Sequence, residues 1–275
     1  MPNSKGLVLT DSLYNDRYYQ IGTPAMYVFT PQEPNGMAVV LCPSGGYHHL
    51  TMPNSGYGLA KWLSKQGITA FVLTHRLPTT PDAIDRSLVA LQDLQRAIST
   101  VRHEAEKWGL NKDMIGVAGC SAGGHLAASS CVITKDVSDV GDAISDENHV
   151  PDFMFAVSPV ITMRSELTHR NSKANLLGAN PSQELQDKFS LEKHVTKNTP
   201  PALLIHADDD AGVSAMNSVM FYEQLKAHGV KAALYVFPTG GHGISLENQP
   251  EATSYWPTLV EIWLKELKNN IANNR

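Results

Sequence analysis

Short apolar segments alternate with long amphipathic ones through most of the chain, and this alternation limits the folds open to it. The apolar segments are 37–42, 69–74, 114–118, 153–157, 202–206 and 232–237. Runs of this length that are apolar on both faces are typical of parallel strands covered by helices. With antiparallel strands expected at 7–9 and 18–29, the sequence predicts an α/β fold whose mostly parallel sheet has about eight strands and helices on both faces.

The amphipathic segments predict the helices. The clearest has apolar residues three or four positions apart from Ile84 to Trp108. Thr80 and Pro81 are expected to start it, and Gly109 to end it. Further helices are predicted at 56–65, 122–131, 215–227 and 257–270.

The 275 residues fit one α/β domain, and no repeat or linker divides them, so we predict a single domain over residues 1–275. Segments 134–150 and 161–199 are too long for simple connections. We interpret 161–199 as a lid or a pocket wall, and surface decoration is the alternative.

Charge limits the possible binding partners of the chain, and cysteine content indicates its compartment. The chain has 22 basic and 27 acidic residues and no basic run, which gives no electrostatic surface for nucleic acid. Three cysteines without CxxC spacing indicate a reducing compartment. The first residues lack a signal-peptide pattern, and no apolar run approaches the roughly 20 residues that span a bilayer. We expect a cytoplasmic protein that binds neither nucleic acid nor membranes.

The segment GCSAGG lies between a predicted strand and a predicted helix, with Ser121 at the centre of a G-x-S-x-G pattern. On a sharp strand-to-helix turn, a serine projects its hydroxyl above the sheet edge, and Gly119 and Gly123 leave room for the backbone. The N–H of Ala122 is then an expected oxyanion donor. A glycine-rich turn with a helix-capping serine is the alternative, but the surrounding elements favour a nucleophile.

A serine hydroxyl becomes a good nucleophile only with a base and a carboxylate that orients the base. Among eleven histidines, His242 lies in a glycine-flanked loop after the last predicted strand, so we predict that it is the base. A histidine in a surface turn is the alternative. Asp208, Asp209 and Asp210 follow the strand at 202–206. Any of them could be the acid; we favour Asp210, with Asp209 second.

The loop after the first core strand reads PSGGYHH. Its paired glycines, Gly45 and Gly46, let backbone N–H groups approach an oxyanion, so we predict that they complete the oxyanion hole. Tyr47 and His48 are predicted to bind substrate. Adjacent histidines face different ways, and no HExxH or Cys/His cluster accompanies them, so we expect no metal and no cofactor.

Several segments, in order, resemble the acetyl esterase branch of the α/β hydrolases, which includes carbohydrate and xylan acetyl esterases. They are CPSGGY, THRLP, IGVAGCSAGGHLAAS, NLLG, TPPALLIHADDD and GGHG, and the resemblance spans residues 38–243. It implies an α/β-hydrolase fold and a serine esterase that cleaves acetyl esters of sugars through an acyl-enzyme, without a cofactor.

The resemblance also bears on the acid. In relatives the acid precedes an x-x-Val-Pro stretch, and Asp210-Ala-Gly-Val213 matches that frame, which implies Asp210. Ser44 replaces the first glycine of the relatives' oxyanion loop, and Ser214 replaces their proline. Neither departure removes a backbone donor or a member of the triad.

Other functions fit the same residues. A peptidase or a lactone hydrolase can use this triad, and a ligand-binding homologue could keep it idle. The expected partner is a small-molecule ester. The sequence leaves open the alcohol, the acyl length limit and the oligomeric state, a homo-oligomer included.

Overall fold

The computed structural model describes residues 2–164 and 166–273. Ten β-strands and seven α-helices lie in these residues. The strands are β1 (Ser12–Tyr14), β2 (Arg17–Gln20), β3 (Ala25–Phe29), β4 (Ala38–Cys42), β5 (Leu50–Thr51), β6 (Thr69–Thr74), β7 (Ile115–Cys120), β8 (Met154–Val157), β9 (Ala202–Ala207) and β10 (Ala232–Phe237).

One α-helix lies between each pair of consecutive strands from β5 to β10, except that two lie between β8 and β9, and the last follows β10. They are α1 (Leu59–Lys65), α2 (Val89–His103), α3 (Ala122–Val132), α4 (Arg170–Leu177), α5 (Gln183–Lys188), α6 (Met216–Ala227) and α7 (Trp256–Asn273). A π-helical turn at Pro53–Gly58 precedes α1, and 3₁₀ turns occupy Glu106–Trp108, Leu191–His194 and Glu251–Tyr255. Helices α3, α6 and α7 occur where the sequence predicts them.

Seven strands form the main sheet, in the order β10-β9-β8-β7-β4-β6-β3. All neighbours are parallel except β3, which pairs antiparallel with β6. Strands β4, β6, β8 and β9 are buried throughout, as expected for strands covered on both faces. The predicted α/β fold is therefore confirmed, with seven strands in the sheet rather than about eight.

The amino-terminal strands differ from the prediction. The segment 18–29 forms two strands in different sheets, because β2 pairs with β1 and β5 in a separate three-stranded sheet. The predicted strand at 7–9 does not form. Leu7 and Val8 are exposed, and the N–H of Leu7 donates to the carboxylate of Asp82 instead of to a strand neighbour.

Helix α2 begins at Val89, not at Thr80 or Pro81 as predicted. Residues 80–88 form turns, since the amino-terminal segment pairs with them through a bridge between Ser4 and Ala83. Tertiary pairing therefore uses backbone groups that a longer helix would need. Gly109 adopts the left-handed conformation, with φ of +63°, just after the 3₁₀ turn that follows α2, as predicted for the end of this helical region.

Helices cover both faces of the main sheet. Helices α2, α3 and α6 bury residues such as Leu94, Leu126 and Phe221 in one hydrophobic cluster, and α1 and α7 bury Leu63 and Leu264 in the other. Because strand side chains alternate between faces, the sheet contributes to both clusters. Among the described helices, none combines the length and apolar character that crossing a membrane requires.

A buried ion pair joins the loop after β6 to α2. The guanidinium of Arg76 donates to the carboxylate of Asp93 at 2.6 Å and to Gln92 Oε1 at 2.9 Å. The same carboxylate accepts from the Arg76 backbone N–H at 2.7 Å. The Arg76 and Asp93 side chains are 2% and 4% exposed, so the pair is almost fully desolvated.

Removal of one partner of this pair should strongly destabilise the fold, because it leaves an uncompensated buried charge. We expect Asp93→Ala to lower the free energy of unfolding by about 3 to 5 kcal/mol. Asp142→Ala is the matched control, since Asp142 pairs with Arg96 of α2 at the surface, with side chains 47% and 29% exposed. That change should cost at most about 1 kcal/mol. Equal losses in denaturant unfolding would contradict this account.

Candidate active site

Ser121 lies on a tight turn between β7 and α3. Its backbone has φ of +57° and ψ of −122°, a region that residues other than glycine rarely adopt. A Cβ on Gly119 would overlap the backbone of Gly123, and a Cβ on Gly123 would overlap the carbonyl oxygen of Cys42. Both flanking positions therefore require glycine. The sequence predicts this strand, turn and helix, and the structure contains them.

The side chains of His242 and Asp210 complete a chain of contacts that begins at Ser121. His242 Nε2 lies 2.9 Å from Ser121 Oγ, and His242 Nδ1 lies 2.8 Å from Asp210 Oδ2. Because an ionised carboxylate can only accept, Nδ1–H donates to Asp210 and leaves Nε2 to accept the serine proton. Ser121, His242 and Asp210 thus have the relative positions of a nucleophile, a base and an orienting acid.

The structure distinguishes the three consecutive aspartates. Asp208 and Asp209 are exposed, while Asp210 is buried. The Asp209 carboxylate accepts from the backbone N–H of Gly241 at 2.8 Å, so it supports the loop that carries His242. Asp210, and not Asp209, contacts the imidazole of His242.

Hydrogen bonds keep Asp210 ionised. Burial alone would raise the pKa of this carboxyl, but hydrogen bonds from His206, His242 and the N–H of Val213 outweigh burial and hold the pKa well below its usual value. Oδ1 also accepts from the N–H of Gly212 at 2.8 Å. An ionised Asp210 can stabilise the imidazolium that forms when His242 takes a proton.

His206 is a site residue that the sequence analysis missed. It lies at the end of β9, fully buried, with Nε2 2.9 Å from the Val213 carbonyl oxygen and 3.3 Å from Asp210 Oδ2. Because Nε2–H must donate to that carbonyl, Nδ1 accepts from the hydroxyl of Ser218 at 2.8 Å. Its position in the sequence, at the end of a predicted strand and four residues before Asp210, could have identified it.

The loop after β4 lies beside Ser121. Gly45 and Gly46 have φ of +138° and +64°, and both line the same cavity as Ser121. Asn175 Nδ2 donates to the Gly46 carbonyl oxygen at 2.9 Å, which fixes the orientation of that peptide. Ala122 is the first residue of α3, so its N–H has no acceptor within the helix. Gly45 and Gly46 thus adjoin the cavity beside Ser121, and Ala122 directly follows Ser121 at the start of α3.

Of the two predicted substrate-binding residues, the structure places only His48 in the cavity wall. Tyr47 is 3% exposed, and its hydroxyl lies 2.8 Å from His125 Nδ1. The Tyr47 backbone has φ of +59°, and its side chain packs in the core beside α3. The prediction that Tyr47 contacts substrate is therefore wrong.

A cavity of about 1220 Å³ adjoins Ser121 and His242. The π-helical turn, α1 and the segment 161–199 form part of its wall. The π-helical turn and α1 contribute Asn54 and Trp62, and the segment 161–199 contributes α4 and the residue before it. The remaining wall includes Glu247 in the loop after β10.

The chain is similar to one protein family and to two curated enzymes. Residues 26–225 match the BD-FAE family. The chain is 34% identical over 226 residues to an acetylxylan esterase of Xylanibacter ruminicola, which covers 81% of this chain and 44% of that protein. It is also 34% identical over 218 residues to endo-1,4-beta-xylanase B of Butyrivibrio fibrisolvens, covering 79% of this chain and 34% of that protein. The chain thus spans less than half the length of these curated relatives.

One solved structure is similar to this chain over most of the length of both proteins. The acetyl ester-xyloside bifunctional hydrolase of Caldicellulosiruptor lactoaceticus superimposes with a TM-score of 0.79 at 33% sequence identity. The match covers 89% of this chain and 87% of that one.

The contacts of Asp210 and Asp209 predict different effects on Ser121. A fluorophosphonate probe reacts with a serine that its base has activated, so labelling of Ser121 measures that activation. We expect Asp210→Asn to slow labelling by roughly 10³-fold or more, because the imidazole loses the carboxylate that orients it. Asp209→Asn, the matched control, should change the rate by less than about 10-fold. The acid assignment would fail if Asp209→Asn were the more damaging change.

Proposed function

Because the chain belongs to the BD-FAE family, we propose that it is a serine carboxylesterase that cleaves short-chain esters, acetyl esters above all. One observation carries the proposal: Ser121, on a strained turn, lies 2.9 Å from His242 Nε2, and His242 lies 2.8 Å from the buried Asp210. The names of the relatives, an acetylxylan esterase and an acetyl ester hydrolase, support ester chemistry.

The proposed reaction has two halves. The Ser121 oxygen attacks the ester carbonyl carbon while its proton moves to His242 Nε2, and Asp210 stabilises the resulting imidazolium. The tetrahedral intermediate then releases the alcohol, which receives that proton, and leaves an acyl-enzyme. In the second half water attacks the acyl carbon, gives a proton to His242, and the carboxylic acid departs as the proton returns to Ser121.

Backbone N–H groups stabilise the oxyanion in both halves. We assign this role to Ala122 at the start of α3 and to Gly45 and Gly46 in the loop after β4. Preorganised donors act on the charge that develops in the transition state, and loss of one costs about 2.7 to 4 kcal/mol of barrier. The bond from Asn175 to Gly46 keeps this loop in place.

We further propose that the ester belongs to an acetylated sugar or oligosaccharide. The cavity of about 1220 Å³ has room for a group much larger than an acetyl. Its wall combines the amides of Asn54 and Asn171 with the ring of Trp62. Amide groups beside an aromatic ring suit a polyhydroxylated alcohol.

The cellular location and the partners remain proposals. Cys42, Cys120 and Cys131 are unpaired, which supports a reducing, cytoplasmic location. A small-molecule ester is the proposed partner. That the chain binds no nucleic acid and no membrane stays a prediction of the sequence, which leaves the oligomeric state open.

A series of p-nitrophenyl esters tests the activity. We expect turnover that is highest with acetate and falls toward octanoate, with a rate that requires Ser121. Ser121→Ala should lower kcat by about 10⁴-fold or more, because the covalent path is lost. Ester turnover that survives this substitution would contradict the proposal.

The rival functions predict other results with the same preparation. A peptidase would release p-nitroaniline from aminoacyl p-nitroanilides, and a lactone hydrolase would open lactones faster than it cleaves p-nitrophenyl acetate. A binding protein with an idle triad would leave Ser121 unlabelled by fluorophosphonate. The esterase proposal expects labelling, acetate turnover and no cleavage of the anilides.

A further inference from the structure

Helix α4 places one of its faces and its capping residue in the wall of the cavity. Asn171, Ala174 and Asn175 line the cavity, and their spacing of three and four positions puts them on one side of the helix. His169, the residue that caps α4, lines the same cavity. The segment 161–199 thus borders the space in which Ser121 acts.

The hydrogen bonds of His169 determine where its proton lies. Nδ1 accepts from the backbone N–H of Ser172 at 3.3 Å and lies 2.8 Å from the Ser172 hydroxyl. Since Nδ1 accepts the backbone bond, a neutral ring carries its proton on Nε2. Burial lowers the pKa of His169 and the neighbouring His242 lowers it further, and together they outweigh the raising effect of Asp210, which favours the neutral ring. Among the described residues, none is a partner of Nε2.

The His169 ring lies close to the groups that act on the ester. Its ring lies nearly parallel to that of His242, with 19° between planes and 6.4 Å between centroids. Its Cε1 would be 3.9 Å from a Cβ placed on Gly46. His169 therefore lies near both Gly46 and His242, the residues proposed above to form the oxyanion loop and to return a proton to the alcohol. Because His169, Ser121 and His242 line one cavity, we expect substituents next to the ester oxygen to come within reach of this ring.

We propose that His169 is a specificity-determining residue, whose Nε2–H donates a hydrogen bond to a hydroxyl of the alcohol next to the acylated oxygen. Asn171, on the same wall, binds a further hydroxyl. The segment 161–199 then selects polyhydroxylated alcohols over simple ones. This inference rests on the esterase function proposed above, and it concerns the alcohol and not the chemical step.

Two substitutions at His169 separate binding from support of the fold. His169→Asn keeps an acceptor that can cap α4 and removes the donor at the Nε2 position. His169→Gln places an amide N–H close to that position. His194→Asn is the matched control, because His194 lies in the same segment, bonds the Asp187 carbonyl oxygen at 2.8 Å and does not line the cavity.

The experiment compares kcat and KM of the full chain for p-nitrophenyl acetate and for a monoacetylated methyl xyloside. p-Nitrophenol has no neighbouring hydroxyl. His169→Asn should lower kcat/KM for the sugar ester by about 10-fold or more, the effect of one lost hydrogen bond, and change that for p-nitrophenyl acetate by less than about 3-fold. His169→Gln should recover part of the loss, and His194→Asn should leave the ratio of the two values unchanged.

Three results would overturn the inference. Equal losses for both substrates in His169→Asn would show that the ring supports His242 or the fold. Unchanged kcat/KM for both substrates in His169→Asn would show that Nε2 binds no hydroxyl. Wild-type turnover of p-nitrophenyl acetate without turnover of the sugar ester would reject the alcohol class and leave the esterase intact. Failure of the esterase proposal is recognised separately, because the wild type would then turn over neither ester.

Discussion

The hydrogen bond between His242 Nδ1 and Asp210 Oδ2 connects the architecture of this protein to its chemistry. Its two residues come from different strands, since Asp210 follows β9 and His242 follows β10. Ser121 follows β7, and all three strands are parallel, so their carboxyl ends meet at one edge of the sheet. The bond depends in turn on a carboxylate that stays ionised although buried, which the donors His206, Gly212 and Val213 ensure.

The sequence predicts the parts of this site that follow from strand order. Ser121 and His242 could be identified because each lies just beyond a predicted strand, beside glycines. The choice of Asp210 over Asp209 needed the resemblance, because adjacent residues after a strand differ only in the direction of their side chains. Tyr47 was misassigned for the same reason: its positive φ turns the ring into the core, and no local pattern reveals that conformation.

Residues that depend on tertiary contacts were harder to predict. The segment that contains His169 is polar and irregular in sequence, and only packing of α4 against the loop at Gly46 brings it to the cavity. The start of α2 was misplaced because residues at the amino terminus pair with 82–84. In both places a contact between distant segments outweighs local preference. The segment 161–199, which lacks a clear pattern, is also where we propose that the choice of alcohol is made.

The acyl-enzyme on Ser121 is the central claim, and rapid-quench mass spectrometry tests it most directly. The protein is mixed with p-nitrophenyl acetate, quenched in acid within milliseconds, digested and mapped. The account predicts a burst of p-nitrophenol that equals the amount of enzyme, and an acetyl group on the peptide that contains Ser121 and on no other peptide. Steady turnover without an acetyl group on Ser121, or with the group on another residue, would contradict it.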